Sequence, residues 1–173
     1  MEMRLRCCSV RSWKWSDRDA IVRHANNRKV WMNLRDQFPH PYSVADARNW
    51  LELVIDRLPE TNFAIAVNDE AVGGIGFTVQ LDEGRRSAEI GYWLGEQVWG
   101  RGIATEALIA VTDYAFAEFD LCRLYAHVFE WNPASARVLE KAGYEFEGRL
   151  KKSVTKVGQT IDKLLYACVR DSN

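Results

Sequence analysis

The sequence predicts a mixed α/β fold built on a mostly antiparallel sheet, and three observations carry that expectation. Strand-like segments follow one another between residues 62 and 94, with turn residues between them and period-two hydrophobicity in the last. Helical spacing then takes over after Gly102 and again after Asn132-Pro133. Two further strand-like segments surround Gly158 near the end of the chain. At 173 residues the chain fits one domain, 1–173, and is long enough to bury a substantial core.

Taken in order, residues 3–10 read as an opening strand, which would set the adjacent Cys7 and Cys8 on opposite faces. Ser16-Asp-Arg-Asp19 has the form of a capping box. The helix behind it turns Ile21, Val22 and Ala25 inward and stops at Asn26-Asn27. Val30 to Leu34 reads as a short helical turn. The prolines of Gln37-Phe-Pro-His-Pro-Tyr42 keep that stretch extended. Ser43-Val-Ala-Asp46 caps a second helix, with Ala47, Trp50, Leu51, Val54 and Leu58 on one face and Pro59 ending it. Strands at Asn62 to Val67 and Ala71 to Gln80 are joined by the hairpin turn Asn68-Asp69-Glu70.

Asp82-Glu-Gly84 turns the chain into a central strand over residues 86–95, where Ala88, Ile90, Tyr92 and Leu94 recur at period two. A turn with Gly100 and Gly102 follows, and then a helix carrying Ala104, Leu108, Val111 and Ala115 inward. Arg123 to Phe129 is the next strand. Asn132 caps the last helix, Pro133 opens it, Ala136, Val138, Leu139 and Ala142 are its buried face, and Gly143 ends it. Tyr144 to Lys151 and Thr160 to Arg170 close the chain as strands.

Composition removes several function classes. With 47% hydrophobic and 27% charged residues the chain is globular rather than disordered. A formal net charge of −1 gives no overall basic field, so no nucleic-acid partner is expected. No stretch approaches the ~20 apolar residues of a membrane span. The N-terminus has no apolar core followed by a cleavage site, so the expectation is a cytoplasmic protein without membrane association. The four cysteines, Cys7, Cys8, Cys122 and Cys168, show neither metal spacing nor a disulfide framework and are expected as reduced thiols. His24, His40 and His127 share no ligand spacing, and no metal is expected. His127, alternating with Tyr125 and Phe129, reads as a packed strand residue.

Chemistry concentrates at the glycine turn. A strand end, a bent backbone free of Cβ atoms and a helix start together aim N–H groups and a positive dipole end at one point, which is an anion site. The turn lacks the Lys-Ser/Thr pair of a P-loop and the spacing of G-x-G-x-x-G, which argues against nucleoside triphosphates and dinucleotides. It does contain Gln-x-x-Gly-x-Gly at Gln97, Gly100 and Gly102. By itself this is equally well a plain strand–helix connection.

Three separated stretches resemble one family: Ala-Glu-Ile-Gly-Tyr-Trp-Leu-Gly (88–95), Trp-Gly-Arg-Gly-Ile-Ala-Thr-Glu-Ala (99–107) and Asn-Pro-Ala-Ser-Ala-Arg-Val-Leu-Glu-Lys-Ala-Gly-Tyr (132–144). They are similar to the GNAT acetyltransferases, and the Phe-Pro-x-Pro-Tyr loop and Glu147-Gly148 narrow the likeness to the RimJ/RimL-type branch. The resemblance implies a sheet of about seven strands with about four helices, its central strands splayed to form an acyl-CoA cleft. It implies an N-acetyltransferase that moves acetyl from acetyl-CoA to a primary amine in a ternary complex. The acceptor it suggests is a protein or peptide N-terminal α-amine. A small amine (polyamine, amino acid or aminoglycoside) is an alternative, and so is a non-catalytic acyl-CoA-binding module. Monomer and homodimer both remain open.

Residue roles follow by the same resemblance. The backbone of Trp99, Gly100, Arg101, Gly102, Ile103, Ala104 and Thr105 is expected to hold the pyrophosphate, with Gln97 positioning the loop. The Arg101 side chain adds charge or is simply solvated. Tyr92, Trp93 and Leu94 would bind the pantetheine amides through their backbone, and the Leu94 N–H is the oxyanion donor. Asn132 is a ligand of CoA as well as a cap. Glu89 stands where relatives place a glutamate that deprotonates the amine, directly or through water; from the residues alone it is a surface glutamate on a half-exposed strand. Many relatives use a tyrosine in the last helix to protonate the thiolate, but Leu139 stands there. Ser135 is the expected hydrogen-bond donor to sulfur instead. Trp31, Phe38 and Tyr42 are the expected acceptor-binding residues, either as an amine cage or as hydrophobic filling between the first helices.

Overall fold

The computed structural model describes residues 1–170. Its strands are β1 (Glu2–Arg4), β2 (Ser9–Arg11), β3 (Asn62–Val67), β4 (Glu70–Val79), β5 (Ser87–Leu94), β6 (Arg123–Phe129), β7 (Glu145–Lys156) and β8 (Gln159–Val169). Its α-helices are α1 (Arg18–Ala25), α2 (Arg28–Trp31), α3 (Val44–Val54), α4 (Ile103–Glu118) and α5 (Pro133–Lys141). The strands form one sheet in the order β1-β2-β3-β4-β5-β6-β8-β7. Every neighbouring pair is antiparallel except β5 with β6. This is an α/β fold with an eight-stranded mixed sheet, the architecture the resemblance implies with one strand more.

The hydrophobic pattern divides the molecule across the sheet. Ala88, Ile90 and Leu94 of β5 and Leu124, Ala126 and Val128 of β6 are buried with Leu108, Val111 and Ala115 of α4 and Leu139 of α5. The opposite face packs Ile21 and Ala25 of α1 and Leu51 and Val54 of α3 with Trp13, Ala64 and Ala71. Period two along the strands therefore sends alternate residues of β5 into two different environments.

Several local expectations shift. The opening segment is a hairpin rather than one strand, because the Leu5 N–H bonds back to the Cys8 carbonyl at 2.9 Å and the chain reverses there. That extra strand and the one-turn α2, capped by the Asn27 side chain, account for the higher count of elements. Helix α1 follows directly on a short 3-10 turn, and Asp17 rather than Ser16 is at its N-cap position; the Asp17 carboxylate makes no cap bond to α1 and instead accepts the Lys14 N–H at 2.9 Å across that turn. Helix α3 begins at the expected Ser43–Asp46 capping box but ends at Val54, well before Pro59, and Leu58 is exposed. Asn68 and Asp69, both at positive φ, form the β3–β4 turn as composition implied. Strand β7 runs on to Lys156, farther than expected, before Val157-Gly158 turns the chain. At the end of α5, Gly143 at φ 86° lets Tyr144 N–H reach the Leu139 carbonyl at 3.0 Å, a Schellman closure.

Candidate active site

Strand β5 holds the site because its two edges have different fates. On one side it stays paired with β4 as far as Leu94, opposite Gly73. On the other, pairing with β6 covers only Ser87 to Glu89, opposite Arg123 to Tyr125. Beyond that point β6 follows β8, and the two central strands part. Hydrogen bonds from Gln80 N to Ser87 O and from Gly95 N to Val72 O fix the phase of the antiparallel ladder. Odd-numbered residues of β5 turn their N–H and C=O to β4, and even-numbered ones to the side of β6. The N–H groups of Tyr92 and Leu94 consequently face the gap.

That gap is a cavity of ≈ 1380 Å³. It exceeds the usual range for one small ligand, roughly 300–1,000 Å³, and has room for two substrates. It passes through the sheet, and its walls include Glu89, Trp93 and His127 from one face and Tyr92, Ser135 and Val138 from the other. Arg101, Arg137 and Lys141 bring positive charge to its rim.

The glycine turn closes one end. Gly100 and Gly102 adopt φ of 74° and 79°, the left-handed region that a side chain disfavours, and a Cβ on either would meet nothing within 4 Å. Glycine there serves backbone shape and open space rather than packing. Gly102 is the N-cap of α4 and provides no side-chain cap, whereas α2, α3 and α5 are capped by Asn27, Ser43 and Asn132. The first-turn N–H groups of Ile103, Ala104 and Thr105 thus lack an intrahelical acceptor and line the cavity. Glu106, in the same turn, accepts Cys7 N–H at 2.9 Å and Arg6 Nε at 3.0 Å, which ties the β1–β2 hairpin to the helix start. Trp99 ties the turn to the strand by donating its Nε1–H to the Leu94 carbonyl at 2.8 Å. Gln97 does not line the main cavity. It faces a separate one of ≈ 290 Å³ behind the turn, with His24, Glu70 and Arg101.

On the α5 side, the Tyr92 hydroxyl lies 2.9 Å from Ser135 Oγ. Burial pushes the Tyr92 phenol up to about 12, although the Ser135 contact acts the other way. Asn132 caps α5 by accepting Ser135 N–H at 3.3 Å, which holds that serine beside Tyr92. The resemblance implicates Tyr92 through its backbone alone. Its side chain was nevertheless legible, since it shares the parity of Ile90 and Leu94 and so points toward the helices of that face.

On the opposite face, the Glu89 carboxylate sits 3.0 Å from His127 Nδ1 and 2.5 Å from the Arg35 guanidinium. The His127 contact first, and Arg35 second, hold the Glu89 carboxyl down at about 2 against the upward push of burial. His127 is therefore no mere packing residue of β6. Arg35 comes from the α2–α3 connection, where nothing in the sequence marked it.

The expected acceptor residues are engaged within the chain. The Trp31 ring stacks with His40 at 5.3 Å and carries the Lys156 ammonium 3.8 Å from its centroid, and it does not line the cavity. Lys156, buried at 2% exposure, also bonds Asp36 at 2.7 Å. Phe38 packs on Tyr42 at 4.9 Å and on Trp93 at 5.5 Å, and Tyr42 is buried. Both line the cavity as apolar wall. Trp31 and Tyr42 do not come together as an amine cage.

No group of acidic, histidine or cysteine side chains among the described residues is arranged to hold a metal. No helix among them is long and apolar enough to cross a membrane.

Residues 9–145 match the acetyltransferase (GNAT) domain family. The uncharacterized N-acetyltransferase p20 of Bacillus licheniformis is 29% identical over 170 residues, covering 94% of this chain and 92% of that protein. The ribosomal-protein-serine acetyltransferase of Escherichia coli is 34% identical over 110 residues, 64% of this chain and 61% of that one. The solved structure of RimL, a ribosomal L7/L12 α-N-protein acetyltransferase in complex with coenzyme A, superposes with a TM-score of 0.86 at 22% identity, covering 100% of both chains. The chain belongs to the acetyltransferase (GNAT) domain family and is an N-acetyltransferase.

Proposed function

We propose that the cleft transfers the acetyl group of acetyl-CoA to a primary amine by direct attack in a ternary complex, and that the amine is the α-amine of a protein or peptide N-terminus. The observation that carries this is the parting of β5 from β6. It presents two backbone N–H groups between an uncapped helix start on one side and a carboxylate on the other. Acetyl-CoA supplies a thioester whose carbonyl is open to attack and whose thiol, with an ordinary pKa near ~8.5, is a tolerable leaving group.

Each residue's part follows from its place. The Trp99–Thr105 backbone cradles the pyrophosphate, and Gln97 supports that turn from behind. Tyr92 and Leu94 N–H groups engage the pantetheine chain and the carbonyl oxygen, with Leu94 as oxyanion donor. The amide of Asn132, beside Ser135, is a further contact for the CoA arm. Ser135, backed by Tyr92, donates a hydrogen bond to the sulfur. A phenol pushed up to about 12 retains its proton and stabilises the thiolate without surrendering it. Glu89 supplies negative charge where the ammonium arrives, and Phe38 and Tyr42 are the apolar wall beside it.

Charge favours a single amine over a polyamine. Asp36 is paired with Lys156, Asp46 accepts both Ser43 N–H and Ser43 Oγ–H, and Glu89 is held by Arg35. Little free negative charge is left on that side to gather a polycation. An α-amine, with a pKa near ~7.7–8.0, is also partly neutral at the outset, unlike lysine near ~10.4.

The test is free-thiol release from acetyl-CoA with N-terminal peptides, lysine peptides, polyamines and aminoglycosides. Release with unblocked N-terminal peptides, abolished by blocking their α-amine, is expected. Release with polyamines or aminoglycosides alone would move the acceptor to small amines. No release from any of them, with CoA still bound in calorimetry, would point to an acyl-CoA-binding module.

A further inference from the structure

We propose that His127 is the group that takes the proton from the acceptor ammonium, and that Glu89 is a positioning residue acting through it. This deepens the acetyl-transfer reading above and rests on it. Both side chains are on the face of the sheet opposite Tyr92 and Ser135, at the point where the central strands separate. Glu89 and Tyr125 are the last paired residues of β5 and β6, and His127 follows by one strand repeat on the same face. Each side chain is 23% exposed and each lines the cleft. Nδ1 is engaged by the carboxylate at 3.0 Å, and among the described residues Nε2 has no hydrogen-bond partner.

The chemistry separates the two candidates. A carboxyl held down at about 2 is a weak proton acceptor from an ammonium near ~7.7–8.0, and the transfer is uphill by several powers of ten. An imidazole is the side-chain type suited to exchanging a proton near neutral pH. A carboxylate on Nδ1 keeps the proton there, presents Nε2 as the acceptor, and stabilises the imidazolium once formed, as the acid of a catalytic triad does for its histidine. The other groups around the imidazole are Arg35, bonded to the same carboxylate, Tyr125 with its ring centroid at 5.6 Å, Leu165 opposite on β8, and Lys163 two pairs along. Asp36 and Lys156, in the same wall, neutralise each other.

The step balances as follows. Nε2 takes one proton from the ammonium, and the neutral nitrogen attacks the thioester carbonyl carbon. The C–N bond forms and the C–S bond breaks. The second proton lost by nitrogen passes through solvent to the departing thiolate, and the imidazolium returns its own proton to solvent.

The experiment measures kcat against pH for wild type, His127→Gln and His127→Ala, with acetyl-CoA and whichever amine of the panel is turned over. Calorimetric binding of acetyl-CoA serves as the check on folding. We expect both variants to bind acetyl-CoA as wild type does, to lose about 100-fold or more in kcat, and to lose the ionisation that sets the acidic limb of the profile. Added imidazole should restore activity to His127→Ala but not to His127→Gln, whose amide still fills the site. Variants within about threefold of wild type, or a retained acidic limb, would overturn the role of His127 alone. Wild type inactive with every amine would overturn the acetyl-transfer reading and this inference with it.

Discussion

Glu89 shows how much one side chain owes to partners that are remote along the chain. Alternation placed it on the central strand, and the resemblance gave it a role. Its environment comes from His127, 38 positions later, and from Arg35 in a connection between helices. Neither was legible, because a parallel register and the course of a loop are tertiary facts that leave no local pattern. The depressed carboxyl has a consequence for stability. Its folded pKa of about 2 lies below the ordinary 4.5, so the native state favours the ionised form. That stabilisation is complete above the unfolded value near 4.5 and is lost as pH falls through about 2. Glu89→Gln should therefore unfold at lower denaturant concentration than wild type at pH 7 and match it at pH 2. A difference of equal size at both pH values would assign the effect to packing. At pH 7 the same variant is expected to lose about 100-fold in turnover while binding acetyl-CoA as before, which separates its place in the acceptor half from the cofactor half.

At the scale of elements, strands and helices with strong periodicity were legible nearly to their ends. Strand β6 and helix α5 lie where expected, and Asn132, Pro133 and Gly143 mark the limits of α5 by cap chemistry. The start of α1 departs from the expected Ser16–Asp19 capping box because Asp17, at its N-cap position, caps nothing with its side chain and is committed elsewhere. Asp17 is buried, accepts the Lys14 N–H, and forms a two-pronged pair with Arg11 at 2.8 and 2.9 Å. Arg11, on β2 beside the edge strand, is 4% exposed, so the pair joins the sheet to the start of the first helix inside the protein. A local capping box is readable from spacing, but a charge on a neighbouring strand is not. Removing Asp17 leaves the buried Arg11 only the Asp69 carbonyl and the exposed Asp69 carboxylate, and breaking a buried pair costs about 3–5 kcal/mol. Asp17→Ala is expected to destabilise by that order in chemical denaturation, whereas Asp19→Ala, on the exposed face of α1, should change stability by about 0.5 kcal/mol or less. Equal effects from the two would show that the Arg11 pair adds nothing beyond surface electrostatics.

For the molecule as a whole, function follows from one interruption in an otherwise continuous sheet. If β5 and β6 stayed paired along their length, the N–H groups of Tyr92 and Leu94 would be spent on a ladder and the two faces would not communicate. Because the strands part, the glycine turn, the Tyr92–Ser135 pair and the Glu89–His127 pair all open onto one cavity, although they come from different faces. The turn is the component whose loss should disable the cofactor half without touching the core. A Cβ at Gly102 meets nothing within 4 Å, so a side chain there starts out into open space. Substitutions do strain a φ of 79°, which for a residue with a side chain costs about 1–2 kcal/mol. Gly102→Ala measures that strain alone, and Gly102→Glu adds a carboxylate where the helix start should meet a pyrophosphate. We expect calorimetry with CoA to give a modest loss of affinity for the alanine variant and a loss of about 30-fold or more for the glutamate variant, with thermal unfolding of the two alike. If Gly102→Glu binds CoA as wild type does, the pyrophosphate is held elsewhere, and the placement of the thioester against Leu94 and Ser135 falls with it.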